Sequence, residues 1–309
     1  MPAKPAISII SPFRDAAEFL PGLLACVDAQ GVDAYELLLV DDGSIDASCN
    51  IVDDAKRRND RIRLLASGGQ GVATARNLAI AESRAPLIAF LDVDDRWHPK
   101  SLRSQLGYME AYPETAFSFA NYAHVDETGP FAVSAFEFWP LFRGLMNTTG
   151  EFQPLEMALS TIFIENAVGT STVVARREAV LKTGGFDLGL PSATDWDLWL
   201  RLAASGSVAC SPAIRMDYLM RPGSISSNRE NRLAAVRQII ERYGAKAERE
   251  RPGAIRRAEG HLEDALGDFA SGEARHWSAA VHHAKAAFAT LNPRSARAAA
   301  HDLFSAFAS

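Results

Sequence analysis

Short apolar runs alternate with stretches of helical periodicity along the first 91 residues. Residues 7–10 (ISII) are a β-rich run closed by Ser11-Pro12, and they predict a buried strand. Over residues 16–29 the apolar positions Phe19, Leu20, Leu23, Leu24 and Val27 recur at helical spacing. Residues 36–40 (ELLLV) predict a second strand, 46–58 a helix, 62–66 a third strand and 72–83 another helix. Residues 86–91 (PLIAFL) predict a fourth strand, apolar at nearly every position as in strands buried on both faces. This β-α-β-α-β-α-β order predicts an α/β fold: a doubly wound, mostly parallel sheet flanked by helices. Ligands of such sheets bind beyond the carboxyl ends of the strands. Three of these strands end in polar loops: residues 12–15, 41–44 and 92–95.

Residues 97–150 carry weaker signals. A strand is expected at 116–120, and the aromatic stretch 131–142 reads as loop. Residues 171–175 predict a strand, 177–182 a short helix and 196–204 a longer one. From about residue 231 alanine becomes frequent and strand signals vanish. Ile255, Leu262, Leu266 and Phe269 form one helical stripe, and Trp277, Val281, Ala284 and Phe288 another. Asn292-Pro293 ends the second, and a last helix is expected over 294–307. The division that follows is an α/β domain at 1–230 with a helical C-terminal appendage at 231–309.

The 309 residues are 48% hydrophobic and 23% charged, the composition of a globular chain. A net charge of −6 argues against a nucleic-acid partner. Cys26, Cys49 and Cys210 are far apart and odd in number, so neither a disulfide framework nor a zinc knuckle is expected. No signal-peptide pattern opens the chain, and no apolar run approaches the roughly 20 residues of a membrane span. The expected location is cytoplasmic, with peripheral attachment to the inner face of the plasma membrane as an option.

The acidic loops carry the chemistry. Asp92 and Asp94, at i and i+2 just past a buried strand, can share a hard cation such as Mn²⁺ or Mg²⁺. Such a cation would offset a diphosphate and stabilise a departing nucleotide. The same spacing also serves a polar turn before a helix. Asp41-Asp42-Gly43-Ser44 can accept from a base or ribose, or act as a tight turn with a cap. Arg76, in Gly71-x-x-x-Ala75-Arg76-Asn77, can reach phosphate or lie solvated on its helix. Asp195 begins the run Asp195-Trp196-Asp197-Leu198-Trp199. It can complement the helix dipole, or serve as a general base kept ionised by that helix end.

The ordered set resembles the family 2 glycosyltransferases of GT-A fold over about residues 6–230. Its elements are Pro12-Phe13-Arg14-Asp15, Asp41 to Asp46 (DDGSID), Gly71 to Asn77 and Asp92 to Asp95, the last followed by Trp97 and Pro99. Gly184 to Asp187 (GGFD), Thr194 to Leu202 (TDWDLWLRL) and Arg221 to Ser224 (RPGS) complete it. The resemblance implies an inverting transferase that moves a sugar from a nucleotide-diphosphate donor, by default a UDP-sugar, to a hydroxyl acceptor. That acceptor would be a growing glycan or glycolipid.

By the same resemblance Asp195 is the catalytic base, and Asp92 and Asp94 hold the metal. Pro12, Phe13, Asp15, Asp42, Arg76, Asp92, Asp94 and Arg221 bind the nucleotide-sugar. Thr170, Ser171 and Trp196 border the acceptor. The sequence departs from the family pattern at Arg14 (usually aromatic), Asp15 (usually Asn), Thr194 (usually Glu) and Arg221 (often His). Arg221 could hold the diphosphate in place of a metal ligand. A non-catalytic nucleotide-sugar binder or scaffold is an alternative. A sugar nucleotidyltransferase is disfavoured, because no glycine-rich phosphate loop follows the first strand. Phe131, Phe136, Phe138 and Trp139 read either as core or as surfaces for a sugar or lipid carrier. The appendage reads as a soluble helical module, with a dimer contact or an amphipathic membrane-surface element also open.

Overall fold

A computed structural model describes residues 4–126, 128–146, 148–220 and 228–308. In chain order the elements begin with β1 (Ile7–Phe13), α1 (Leu20–Asp28), β2 (Tyr35–Asp41), α2 (Ser48–Arg58), β3 (Ile62–Ala66), α3 (Val72–Glu82) and β4 (Leu87–Phe90). Next come β5 (Arg96–Trp97), α4 (Ser101–Ala111), β6 (Thr115–Asp126), β7 (Gly129–Pro130), α5 (Ala135–Phe138), α6 (Pro140–Arg143), β8 (Gln153–Pro154) and α7 (Ala158–Ile164). Then follow β9 (Val174–Arg176), α8 (Arg177–Lys182), α9 (Thr194–Ala203) and β10 (Ser207–Leu219). Four helices complete the described chain: α10 (Arg229–Glu250), α11 (Ala254–Gly272), α12 (His276–Thr290) and α13 (Pro293–Ala308).

The chain divides into two compact units, one of residues 1–158, 167–188 and 194–222, the other of 159–166, 189–193 and 223–309. The first unit holds one sheet in the order β3-β2-β1-β4-β9-β6-β10-β5, with β7 on β6 and β8 on β10. β3, β2, β1 and β4 run parallel, as do β6 and β10; β9 lies antiparallel between β4 and β6. Every residue of β1 and β4 is buried, which is why β4 reads as a continuous apolar run and β1 as one broken only by Ser8 and Ser11.

Three segments differ from expectation. Residues 170–172 form a 3₁₀ turn, and the strand expected at 171–175 is shorter and later, as β9. The aromatic stretch contains α5, started by a capping box in which Ser134 and Glu137 bond each other's backbone N–H, and then α6. β10, thirteen residues long, was not anticipated. Pro212 lies inside it, where the register against β6 shifts between Ser211 and Ile214. A bulge of this kind tolerates a residue that cannot donate to the ladder, but it breaks the alternation that marks a strand in sequence.

The second unit inverts one expected helical face. Trp277, Val281 and Phe288 are exposed, at 55%, 54% and 80%, while Ala279, Ala280, His283 and Ala286 are buried. Close packing of α11 on α12 is the cause. A Cβ at Gly260 would come within 2.6 Å of Thr290 Cγ2, and one at Gly267 within 2.4 Å of the His283 ring. Helices this close admit only small residues between them, so the large ones turn outward. His283 is held by Asp302, Nδ1 to Oδ2 2.8 Å, and Ser271 donates to the other carboxylate oxygen at 2.9 Å.

Candidate active site

Parallel strands deliver the acidic loops to one end of the sheet. Asp41 ends β2, and Asp92 lies two residues past β4. The loop after β1 is clamped to the loop after β2. Asp15, at φ 47°, accepts from the N–H groups of Ile45 (2.8 Å) and Asp46 (3.3 Å), and its own N–H donates to Ser44 Oγ (2.9 Å). Pro12 is buried on β1, and the Phe13 ring sits in the core at 3% exposure. The Phe13 carbonyl accepts the Asp42 N–H at 2.9 Å.

Asp42 is 7% exposed. Its carboxylate accepts from Ser67 Oγ (2.7 Å) and from the Gly71 N–H (3.2 and 3.0 Å). It thereby ties the loop after β3 and the start of α3 to the end of β2. Gly71 has φ +95°, which only glycine adopts readily.

Arg76, on α3, is buried and donates to Asp92 at 2.5 Å, with its guanidinium 5.3 Å from the Phe186 ring centre. Its Nε has no hydrogen-bond partner. Asp92 and Asp94 are half-buried, and Asp95 is buried. Burial, and then the negative charges of Asp92 and Asp94, push the Asp95 carboxyl well above the usual carboxylate range. The acidic loop is thus a concentration of negative charge with Arg76 on one side.

Two consecutive hydroxyls join this loop to α9. Ser171 Oγ accepts the Asp92 N–H (2.9 Å) and donates to Asp95 Oδ2 (2.5 Å). Thr170 Oγ1 donates to Asp195 Oδ2 (2.9 Å), while Asp195 Oδ1 accepts the Trp196 N–H (2.8 Å). Asp195 therefore lies in the first turn of α9 with its oxygens oriented from both sides. Ser171 is 1% exposed and Trp196 7%. Arg221 lies outside the described residues.

The GGFD segment has a structural task that its glycines signalled and its neighbours did not. Asn77 pairs with the backbone of Phe186 twice, accepting its N–H and donating to its carbonyl, both at 2.8 Å. Arg201 on α9 grips the same loop, donating to the carbonyls of Thr183 (2.5 Å) and Gly185 (2.6 Å) while paired to Asp197 (2.7 Å). Asn77 and Arg201 lie inside motif segments, but their partners are distant in sequence. Asp95 is a further residue whose part was not expected: the tandem DD marked it, but its bond to Ser171 spans 76 positions.

A parallel α/β sheet with an acidic loop past its central strand, and a carboxylate at a facing helix start, defines the GT-A class of glycosyltransferase. The family model for glycosyl transferase family 2 matches residues 8–181, more than half of the chain, and the chain belongs to that family. It is a glycosyltransferase. It is 27% identical over 229 residues to a Bacillus subtilis (strain 168) protein named as a teichuronic acid biosynthesis glycosyltransferase, TuaG. That match spans 73% of this chain and 83% of the relative. It is also 27% identical over 246 residues to the Escherichia coli UDP-Glc:α-D-GlcNAc-diphosphoundecaprenol β-1,3-glucosyltransferase WfaP, covering 78% of this chain and 88% of the relative. The structure of S. aureus TarS residues 1–349, in complex with UDP-GlcNAc, superposes with a TM-score of 0.60 at 16% identity over 92% of this chain and 89% of that one. This likeness confirms the fold.

Proposed function

We propose that the protein transfers a sugar from a nucleotide-diphosphate donor, a UDP-sugar, to a hydroxyl of a glycan or lipid-linked glycan, with inversion at the anomeric carbon. The relatives named for a UDP-sugar donor and a diphosphoundecaprenol-linked acceptor favour this substrate pair. The observation that carries the reading is the Thr170–Ser171 bridge, which holds Asp195 and the acidic loop Asp92–Asp95 in one construction.

Asp195 takes the proton from the acceptor hydroxyl as that oxygen attacks. Its two accepted hydrogen bonds orient the carboxylate and leave lone pairs for the acceptor. Asp15 and Asp42 shape the nucleoside-facing loops after β1, β2 and β3. Arg76 faces the diphosphate beside Asp92, its free Nε–H leaving a donor to offer. Arg221 is assigned to the same diphosphate by resemblance alone. Ser171 and Trp196, both buried, support the acceptor side, and Thr170 orients the base.

No cluster of three or more His, Cys, Asp or Glu side chains among the described residues could by itself hold a metal. Asp92 and Asp94 nonetheless fit a Mn²⁺ or Mg²⁺ ion whose remaining ligands are phosphate oxygens and water. Their hard oxygens suit it, and a cation would offset the negative charge that Asp92 and Asp94 place beside the buried Asp95. A bound ion there would offset the charge of the leaving nucleoside diphosphate.

Residues 1–230 are the catalytic domain in this reading, and 231–309 an appendage. Among the described residues no helix is long and apolar enough to cross a membrane. The exposed Trp277, Phe288, Phe304 and Phe307 lie on helices whose cations include Lys285, Arg294 and Arg297. The sole carboxylate of 276–308 is the buried Asp302. Apolar bulk among these cations, of which Lys285 also lies 3.8 Å from Glu263, suits an anionic lipid surface, where a lipid-linked acceptor would be found.

Calorimetric titration with UDP, GDP, CDP and ADP, each with and without Mn²⁺, tests the donor assignment. UDP binding that needs the metal is expected. A folded protein that binds none of the four would overturn it.

A further inference from the structure

Four rings gather at the carboxyl ends of β6 and β10: Phe131, from the aromatic stretch considered above, and three others outside the motifs. Tyr122 and His124 are two residues apart on β6 and so share a face of the sheet. Tyr218 of β10 stands beside His124 in the parallel register. Phe131, just past β7, donates its backbone N–H to the His124 carbonyl at 2.8 Å and stacks on the His124 ring, centroids 6.2 Å apart with planes at 23°. The other centroid distances are 5.2 Å for Tyr122–His124, 5.5 Å for His124–Tyr218 and 6.0 Å for Tyr122–Tyr218. The three strand rings are half-buried, and Phe131 is 44% exposed. Burial lowers the pKa of His124, so its ring face stays uncharged at neutral pH.

This wall is tied to the reaction centre on both sides. Tyr122 lies so close to Gly169 that a Cβ there would come within 2.8 Å of its ring. The next residue, Thr170, is the one that holds Asp195. Leu219, following Tyr218, hydrogen-bonds through its backbone to the Asp95 carboxyl. Tyr122 and Tyr218 rest on the core behind them, which fixes the wall's position.

We infer that Tyr122, His124, Phe131 and Tyr218 form a stacking wall for a pyranose ring of the acceptor, an inference that rests on the transferase reading above. A pyranose presents an apolar C–H face with slight positive charge. Aromatic faces are apolar and carry the complementary negative quadrupole. The wall adjoins the support of the base, whereas the nucleotide is assigned to the loops after β1 to β4.

The test is saturation-transfer NMR with methyl glycosides of glucose, galactose, mannose and N-acetylglucosamine, in the presence of UDP and Mn²⁺. At least one glycoside should take up saturation on its ring C–H protons when aromatic resonances are irradiated. Phe131→Ala should cut that signal at least threefold, His124→Asn should weaken it, and Phe131→Trp should retain it, all at unchanged Tm. No saturation of any glycoside, or a signal indifferent to Phe131→Ala in a folded protein, overturns the wall. UDP binding is measured by calorimetry on the same samples. UDP binding without glycoside saturation removes the wall alone; saturation without UDP binding supports the wall and removes the nucleotide reading.

Discussion

The Thr170 hydroxyl donates to the Asp195 carboxylate across 2.9 Å, from a turn whose next residue, Ser171, donates to Asp95. A displacement at either end of this bridge reaches the other through one peptide unit. Base placement and the acidic loop are therefore mechanically linked.

Asp195→Asn should abolish transfer, lowering kcat by about 10²–10⁴-fold, the range a general base contributes. UDP affinity should stay unchanged in calorimetry. Thr170→Val keeps the carboxylate and loses its orientation, so kcat should fall roughly 10- to 100-fold with little change in donor KM. Full turnover by Asp195→Asn would remove the residue from the base role.

Asp94→Ala should weaken metal-dependent nucleotide binding and leave the thermal midpoint nearly unaltered. EDTA should do the same to the unmodified protein. Calorimetry with UDP at several Mn²⁺ concentrations checks this; identical isotherms with and without metal would reject Asp94 as a ligand.

Gly185→Ala should destabilise the first unit. The added Cβ would lie 2.4 Å from Asn77 Oδ1, and φ at this position is +71°. Backbone strain and the loss of the Asn77–Phe186 pairing together predict a loss of at least about 2 kcal/mol. Urea denaturation reads the change, and a loss below about 0.5 kcal/mol would contradict the packing described.

Asp302→Ala leaves Nδ1 of the buried His283 without its partner and Ser271 without its acceptor, while Asp268 still lies 3.3 Å from His283 Nε2. Leaving a buried polar group without its hydrogen-bond partner costs about 1–3 kcal/mol. Chemical denaturation followed by tryptophan fluorescence should show that loss through Trp277, which lies on the same helix as His283.

Sedimentation with vesicles should separate the proposed surface roles of the appendage. Anionic phosphatidylglycerol vesicles should carry the protein down, and neutral phosphatidylcholine vesicles much less. Phe304→Ser combined with Phe307→Ser should reduce the bound fraction several-fold. Equal sedimentation with both lipids would argue against charge-assisted docking.

The alternating strand and helix order was legible because β1, β2 and β4 are buried on both faces at nearly every position and are mostly apolar. The acidic loops could be read for the same reason: a buried parallel strand has to end in a polar turn where ligands bind. β10 escaped notice because its ladder is interrupted by register shifts around Pro212, which erase the two-residue period. The outward stripe Trp277–Val281–Phe288 was legible as a stripe but not as an exposed one. Periodicity reveals that residues share a face, and only the neighbouring helix decides which face is covered.

Local chemistry along the chain determined the α/β class, the carboxylates at strand ends and the family. Turn formation, strand burial and motif order act over a few residues each, and they are written consecutively. Tertiary structure alone decided what those carboxylates touch. Asp42 bonds Ser67 and Gly71, Asp92 pairs with Arg76, and Asp195 takes the Thr170 hydroxyl, each across 16 to 29 positions. It also decided that Tyr122, His124, Phe131 and Tyr218 form one surface. Side chains from separate strands meet only after register is set, and register is a property of the assembled sheet.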